Sequence, residues 1–600
     1  MNPPRGTLAP LLAACLALCA GAAPGGDVTA FLRQTMPEAA EPAATAANGR
    51  LALSFDAAGG LVSALWPGAG GVEQAGRLPG APKPRAARWG VDTGNEIVWM
   101  DTPEIRVSTE NTGGAQVETA WQTQAGEIRQ RVAVPPGMDG FVMELSGRGG
   151  AAPRALVWEQ ALLPATDRPR GVPLAAPPFA AARGFAGAVF GDGRGAFVFR
   201  PGEPAPEDRE RARRLAEEDA NRAGWDIFEG GTWIATGATG RMTARFPDAP
   251  PPGQAAAGAA SARLELRVSP VRDGEAWRAV AAVAFGGSRS SATETLRALL
   301  DRPFSEWAAA AETAGEPPQP LPEAARRAVD RLLLSWDDLR DTVVFAPCGT
   351  PPLAVVTPQL AACAALALSK TGLTDRAERQ LDFLMGLART KETATAPAGS
   401  LPVLAHADGA RAFPEAVVNA SDAAWCLLAL RDATALWPEA RRNAFLAKHR
   451  DKAAVLGDFL VRWADLNTGE PLPDFDWRAL RPAASFESLL AGLLGIGAAG
   501  DLAAAAPREW TEWRRGLEAR VRFALANDPA SVTLSPSLAA WIAATNTAGL
   551  PPGFRGTVAR TVPFDGPETL GDAARRALGG EAPGDALAAA LQLLLAPSGG

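Results

Sequence analysis

From about residue 48 to 290 apolar and polar positions alternate in short runs, and Gly, Pro or Asp closes each run. Leu51-Ala52-Leu53-Ser54-Phe55-Asp56 and Gly195-Ala196-Phe197-Val198-Phe199 are typical. A period of two predicts strands with one buried face, and many short strands with turn signals between them predict an antiparallel β-sandwich over residues 27–292. The charged, helix-prone stretch Glu207 to Arg222 reads as a surface excursion. Pro247 to Ala260 reads as a loop inside the sandwich, because alternation resumes at Leu264-Glu265-Leu266-Arg267-Val268.

Near Thr293 the helical period takes over and persists to the end of the chain, which defines a second region over 293–600. Helices are predicted at Glu323 to Trp336, Gln359 to Ser369, Asp375 to Leu387, Asp422 to Leu436, Glu439 to Ala464, Ser485 to Ala504 and Arg508 to Ala526. Ser535 to Thr545, Phe554 to Val562 and Asp585 to Leu595 follow. Long Gly- and Pro-rich loops separate them, which suggests a toroid of paired helices whose loops gather at one end and form the pocket.

The first 26 residues combine Arg5, the apolar run Leu8 to Leu18 and the small residues Cys19-Ala20-Gly21-Ala22, the pattern of a secretory signal peptide. Leu12-Ala13-Ala14-Cys15 also resembles a lipobox, so a lipid anchor competes with simple cleavage. Either way the expectation is an exported protein, periplasmic or extracellular, without a transmembrane span.

Composition then narrows the chemistry. A net charge of -7 without long basic runs argues against nucleic acid as a partner. Beyond the signal segment only Cys348, Cys363 and Cys426 remain, with no Cys-x-x-Cys spacing, so buried apolar thiols are expected rather than disulfides or zinc. His406 and His449 are the only histidines in 600 residues, which leaves little room for histidine-based metal sites or triads. No cofactor is expected, and any catalysis must rest on carboxylates. Tyrosine is absent beside 17 Trp and 22 Phe, a gap with no physical explanation.

Several motifs resemble glycoside hydrolase family 15, the glucoamylase and glucodextranase family. Asn48-Gly49-Arg50-Leu51-Ala52-Leu53-Ser54-Phe55-Asp56, Leu65-Trp66-Pro67, Arg88-Trp89-Gly90 and Ile97-Val98-Trp99 look like the opening strands of its bacterial members. Thr357-Pro358-Gln359-Leu360 and the alanine-rich run after it are similar to the entry of the family's second helix, where Trp-Pro-Arg-Asp is usual. Pro473-Asp474-Phe475-Asp476-Trp477-Arg478-Ala479-Leu480-Arg481 is similar to the loop that ends Asp-Leu-Trp-Glu-Glu-Arg.

The resemblance implies a supersandwich followed by an (α/α)6-type barrel, and an inverting exo-glycosidase acting on α-glucosidic ends of an oligo- or polysaccharide. It also exposes departures. Gln359 and Leu360 stand where an Arg and an Asp hold the terminal glucose, a clamp of charge-assisted hydrogen bonds that neither can reproduce. Ala479 stands at the general acid when Asp476 and Arg481 are matched to the motif's ends, and Arg478 does when Trp477 is matched to its Trp. Neither register preserves the acid.

The family's base comes from a Gly-rich turn entering a late helix, for which Gly579-Gly580-Glu581 is the local match. Glu581 is thus the candidate base, its plainer reading being a charged residue in a solvated turn. Asp476 is the other candidate catalytic carboxylate, and Asp474 and Glu487 are further places for a relocated acid. Gln359, Asp422, Trp425, Trp477 and Arg481 are the candidate substrate-binding residues. Asp422 also suits a first helical turn for dipole reasons alone, and Trp425 also suits a helix core. The expected function is a carbohydrate-active protein with weak or no hydrolysis, or a non-catalytic glycan- or protein-binding relative.

Overall fold

In the computed structural model, the described residues are 43–66, 72–74, 85–148 apart from 114 and 124–125, 153–162, 186–189, 195–201, 231–245, 262–313 apart from 287–288, 323–344 apart from 339, 355–406 apart from 395, 417–545 apart from 466–469, 477–480, 483–484 and 528–534, and 586–595. The signal-like segment, the Glu207 to Arg222 insert, Pro247 to Ala260, Cys348, Phe554 to Val562 and Glu581 lie outside them.

Among the described residues the alternation builds two nine-stranded antiparallel sheets. In spatial order the first runs Ala44–Ala47, Ala52–Phe55, Leu61–Trp66, Ala87–Asp92, Ala155–Leu162, Ala262–Val268 and Met242–Arg245. The second runs Ala186–Val189, Gly195–Pro201, Gly231–Ala238, Ala276–Gly286, Gly140–Arg148, Gly126–Ala133, Gln116–Thr123 and Arg106–Gly113. Along Gln116–Thr123 every second residue, Val117, Thr119 and Trp121, is buried, as a pleated strand with one wet face requires. Both sheets give their apolar faces to one core. Trp89 and Trp158 sit directly opposite each other with ring centroids 4.9 Å apart, and Trp66 stacks on Phe285 of the other sheet at 6.0 Å.

Helix α1 (Arg289–Asp301) follows the last long strand, and α2 (Phe304–Thr313) follows α1. Both still belong to the sheets' core through Leu296, Leu299, Phe304, Trp307 and Ala311. Gln116 donates its side-chain amide to the Ala308 carbonyl at 2.8 Å.

Nine further helices follow: α3 (Glu323–Leu334), α4 (Pro358–Lys370), α5 (Thr374–Leu387), α6 (Ala420–Thr434), α7 (Glu439–Arg462), α8 (Ser485–Leu502), α9 (Arg508–Asn527), α10 (Pro536–Ala544) and α11 (Ala586–Leu595) among the described residues. Their starts are chemically specified. Thr357 and Ser535 cap α4 and α10 by accepting from the amides of Leu360 and Leu538, with Pro in the first turn of each helix. The predicted helix at Glu323 to Trp336 stops at Leu334, because Trp336-Asp337 pairs with Thr342-Val343 in a small hairpin.

Helices α4, α6, α8, α10 and α11 are apolar on nearly every side and buried, whereas α5, α7 and α9 carry charge along one face. An all-apolar helix is stable in water only when surrounded, so the second set must wrap the first. The buried helices run parallel, because their C-terminal ends are tied to one another. Trp437, just beyond α6, donates to Ser369 of α4 at 2.9 Å, and Trp541 of α10 donates to Asp432 of α6 at 2.9 Å. Arg431 of α6 reaches Asp501 of α8 at 3.2 Å, and Lys370 of α4 reaches the Leu594 carbonyl of α11 at 2.7 Å.

Candidate functional site

Parallel helices whose C-terminal ends meet must gather their N-terminal ends at the opposite side. The polar residues of those apolar helices collect there. Gly495 lets α8 lie against α6, since a Cβ at that position would stand 2.7 Å from the Ala424 Cα. Close contact of the two backbones brings Ala420-Ser421-Asp422 beside Glu487-Ser488.

The segment between α7 and α8 folds over this junction. Asn419 holds it with a reciprocal pair, accepting from the Phe475 amide at 2.7 Å and donating to the Phe475 carbonyl at 3.3 Å. Asp474 is thereby pressed into the gap, where Ser488 Oγ donates to it at 2.7 Å and the Ser421 amide at 3.3 Å. Ser535, the cap of α10, donates to Glu487. Asp474 and Glu487 thus link the starts of α6, α8 and α10.

Asp422 and Asp474 are 5% and 7% exposed, and neither has a cationic partner among the described residues. Burial pushes the Asp422 carboxyl well above the usual carboxylate range, and the negative Asp474 pushes it further, against a hydrogen bond from Asn419. One oxygen of Asp422, Oδ2, has no hydrogen-bond partner. Burial also raises Asp474, against the hydrogen bonds from Ser488 and from Ser421 and its backbone. Burial disfavours the charged form of both acids, most strongly at Asp422, which also feels the charge of Asp474.

The remaining candidates are distributed as follows. Gln359 is half-buried in the first turn of α4, and Leu360 beside it is fully buried. Asp476 and Arg481 face each other directly across a two-stranded hairpin, so the two motif ends matched in the sequence are brought together in space. Trp477, Arg478, Ala479 and Glu581 lie outside the described residues. Trp425 is 3% exposed and packs edge-to-face on Trp541 at 5.3 Å, within the helix core. His449 is buried and bonds Asp382 at 2.7 Å. Cys363 and Cys426 are free and buried; burial pushes the Cys426 thiol up to about 12 and Cys363 higher still, so neither is a nucleophile.

Sequence reasoning named Asp422 and Asp474 but passed over Asn419, Ser421 and Ser488. The signal was available: each is a polar residue at the first turn of a helix that is otherwise apolar all round.

No helix among the described residues is long and apolar enough to cross a membrane. No protein-family model matches the chain, and no curated relative matches its sequence. Among solved structures, a bacterial glucoamylase complexed with acarbose superposes with a TM-score of 0.53, at 10% identity, covering 84% of this chain and 69% of its own. A wild-type glycosidase matches at a TM-score of 0.30 with 19% identity, covering 39% of this chain and 67% of its own. At that TM-score the second match carries no argument. The chain therefore has a glycoside-hydrolase-like fold, antiparallel sheets followed by helices, similar to that of a bacterial glucoamylase.

Proposed function

We propose that this chain is an exported relative of glycoside hydrolase family 15, with a sandwich domain over 27–292 and an (α/α)6-type toroid over 293–600. In this reading it binds α-linked oligosaccharide at the N-terminal end of its buried helices. The observation that carries the reading is the gathering of α6, α8 and α10 starts around Asp474 and Glu487, with Asp422 and the Asp476–Arg481 hairpin beside them. A helical end lined by acids and hydroxyls suits sugar hydroxyls.

Hydrolysis is proposed to be weak or absent. A departing sugar alkoxide needs a positioned acid, and inversion needs a second carboxylate ~6.5–9.5 Å away with water between. Ala479 or Arg478 stands at the acid position, leaving Glu581 as base without its counterpart. Loss of the acid costs ~10²–10⁴-fold in rate. Burial raises the Asp474 carboxyl at this end, but Ser488 and the Ser421 amide already occupy it as donors. A non-catalytic glycan-binding role follows from that engagement.

The test is β-glucose release from maltooligosaccharides followed by NMR. The unmodified chain is expected to match a boiled control, and Ala479→Glu, alone or with Gln359→Arg, to restore turnover. Leu360 is left in place because a carboxylate there would be fully buried. Robust turnover by the unmodified chain would refute the impaired reading, and its loss in Asp474→Asn would identify the relocated acid.

A further inference from the structure

A second polar site lies on the sandwich, away from the helical end. A cleft of about 560 Å³ opens at one end of four adjacent strands of the first sheet. Register places Asp92 against Ala155, and Leu156 and Met242 on either side of Val268. The Ser269 amide donates to the Arg241 carbonyl at 3.0 Å, so Asp92, Ala155, Ser269 and Arg241 form one row across the sheet. Alternation then sets Arg241, Thr243, Arg267 and Ser269 on the face opposite the core residues Met242, Leu266 and Val268.

The charges in this cleft are unequally satisfied. Arg267 is spent on Asp92 at 2.8 Å and on Glu265 at 2.8 Å. The second Asp92 oxygen accepts the Gly94 amide at 2.8 Å. Arg154 and Arg241 line the cleft, are exposed, and have no ion pair among the described residues. Glu96 is the one lining acid left without an ion pair among the described residues. In a chain of net charge -7, two unengaged guanidinium groups facing one cleft are a local excess of positive charge.

We propose that this cleft binds an acidic sugar, its carboxylate or sulfate ester held by Arg154 and Arg241 and its ring hydroxyls by Glu96 and Ser269. The guanidinium fork matches a planar or tetrahedral oxyanion through paired hydrogen bonds. The volume falls in the range of small-molecule sites and far exceeds a bare inorganic anion. Glu96 disfavours polyanions but accepts from hydroxyls, which selects a ligand with one anionic group among several alcohols. The site does not depend on the helical end being catalytic or on its binding neutral sugars.

The test titrates the full chain calorimetrically at low salt with glucuronic acid, glucose 6-sulfate, maltotriose and inorganic sulfate. Saturable binding of one of the acidic sugars is expected, and which one binds distinguishes carboxylate from sulfate ester. The double variant Arg154→Gln/Arg241→Gln should weaken that binding on the order of tenfold or more, with an unchanged melting temperature because both side chains are exposed. Maltotriose should not compete. The proposal fails if neither acidic sugar binds, if the double variant binds as tightly as the parent, if maltotriose competes, or if inorganic sulfate binds as well as the sugars.

Discussion

Two clusters, one in the sheets and one at the helix starts, bury carboxylates in opposite ways. In the sheets Arg85 contacts Asp56 at 2.8 Å and Asp101 at 2.9 Å, while Arg88 contacts Glu159 at 2.9 Å and Asp101 at 3.4 Å. All five side chains are at most 6% exposed, and Trp99 covers the Arg88 guanidinium at 3.9 Å. In the helices Asp422 and Asp474 are equally dry but are given serine hydroxyls, amides and each other. Burial lifts Asp56 too, yet there Arg85 opposes it. A counter-ion beside a buried acid favours its charged form, whereas burial without one favours the protonated form.

The comparison breaks most visibly at the arginines. Arg85→Ala strands Asp56 and Asp101 without their shared cation, and removing one partner of a buried pair costs about 3–5 kcal/mol. Urea denaturation followed by tryptophan fluorescence should show that loss. A change below about 1 kcal/mol would mean that the sheet network is not held by charge.

A smaller effect, of opposite character, is expected at the helical carboxyls. Their folded pKa values lie above the unfolded ones, so the native state binds more protons. Their contribution is fully present below the unfolded carboxylate range and is lost as pH rises through the folded values. Stability of the helical half should therefore fall as pH rises above about 4, by up to ~1.4 kcal/mol per pH unit for each proton retained. Asp422→Asn, which mimics the protonated form, should flatten that slope in melts taken across pH 4 to 8. A slope identical to the parent's would show that Asp422 is ionised in the fold.

The smallest effect belongs to an exposed pair. Arg508 and Glu512 meet at 2.6 Å on α9 with side chains 90% and 56% exposed. Arg508→Ala should move stability by less than about 0.5 kcal/mol, and added salt should erase even that. A shift comparable to that of Arg85→Ala would undo the distinction drawn between buried and exposed charge.

Much of the fold could be read along the chain. Predicted helix ends agree with α4 to α10 to within about two residues, because Thr357-Pro358 and Ser535-Pro536 start helices chemically. The change of period near Thr293 was legible, but α1 and α2 were not singled out as helices, nor was their packing into the sandwich core, since periodicity says which face is apolar and not what covers it. The Arg85 and Arg88 network was likewise hidden. Charged residues in an alternating strand look like its wet face until another segment buries them.

For the candidate site, the sequence by itself determined which residue types stand at each helix start. Only the tertiary structure decided that Asp474 is the buried centre of the junction. Its partners lie 53 residues before it and 14 after it, and the register that brings them together is set by the contact of α6 with α8. The physical reason is that a carboxyl's proton affinity is fixed by the groups and the solvent around it in space, while sequence periodicity reports only which way a side chain faces.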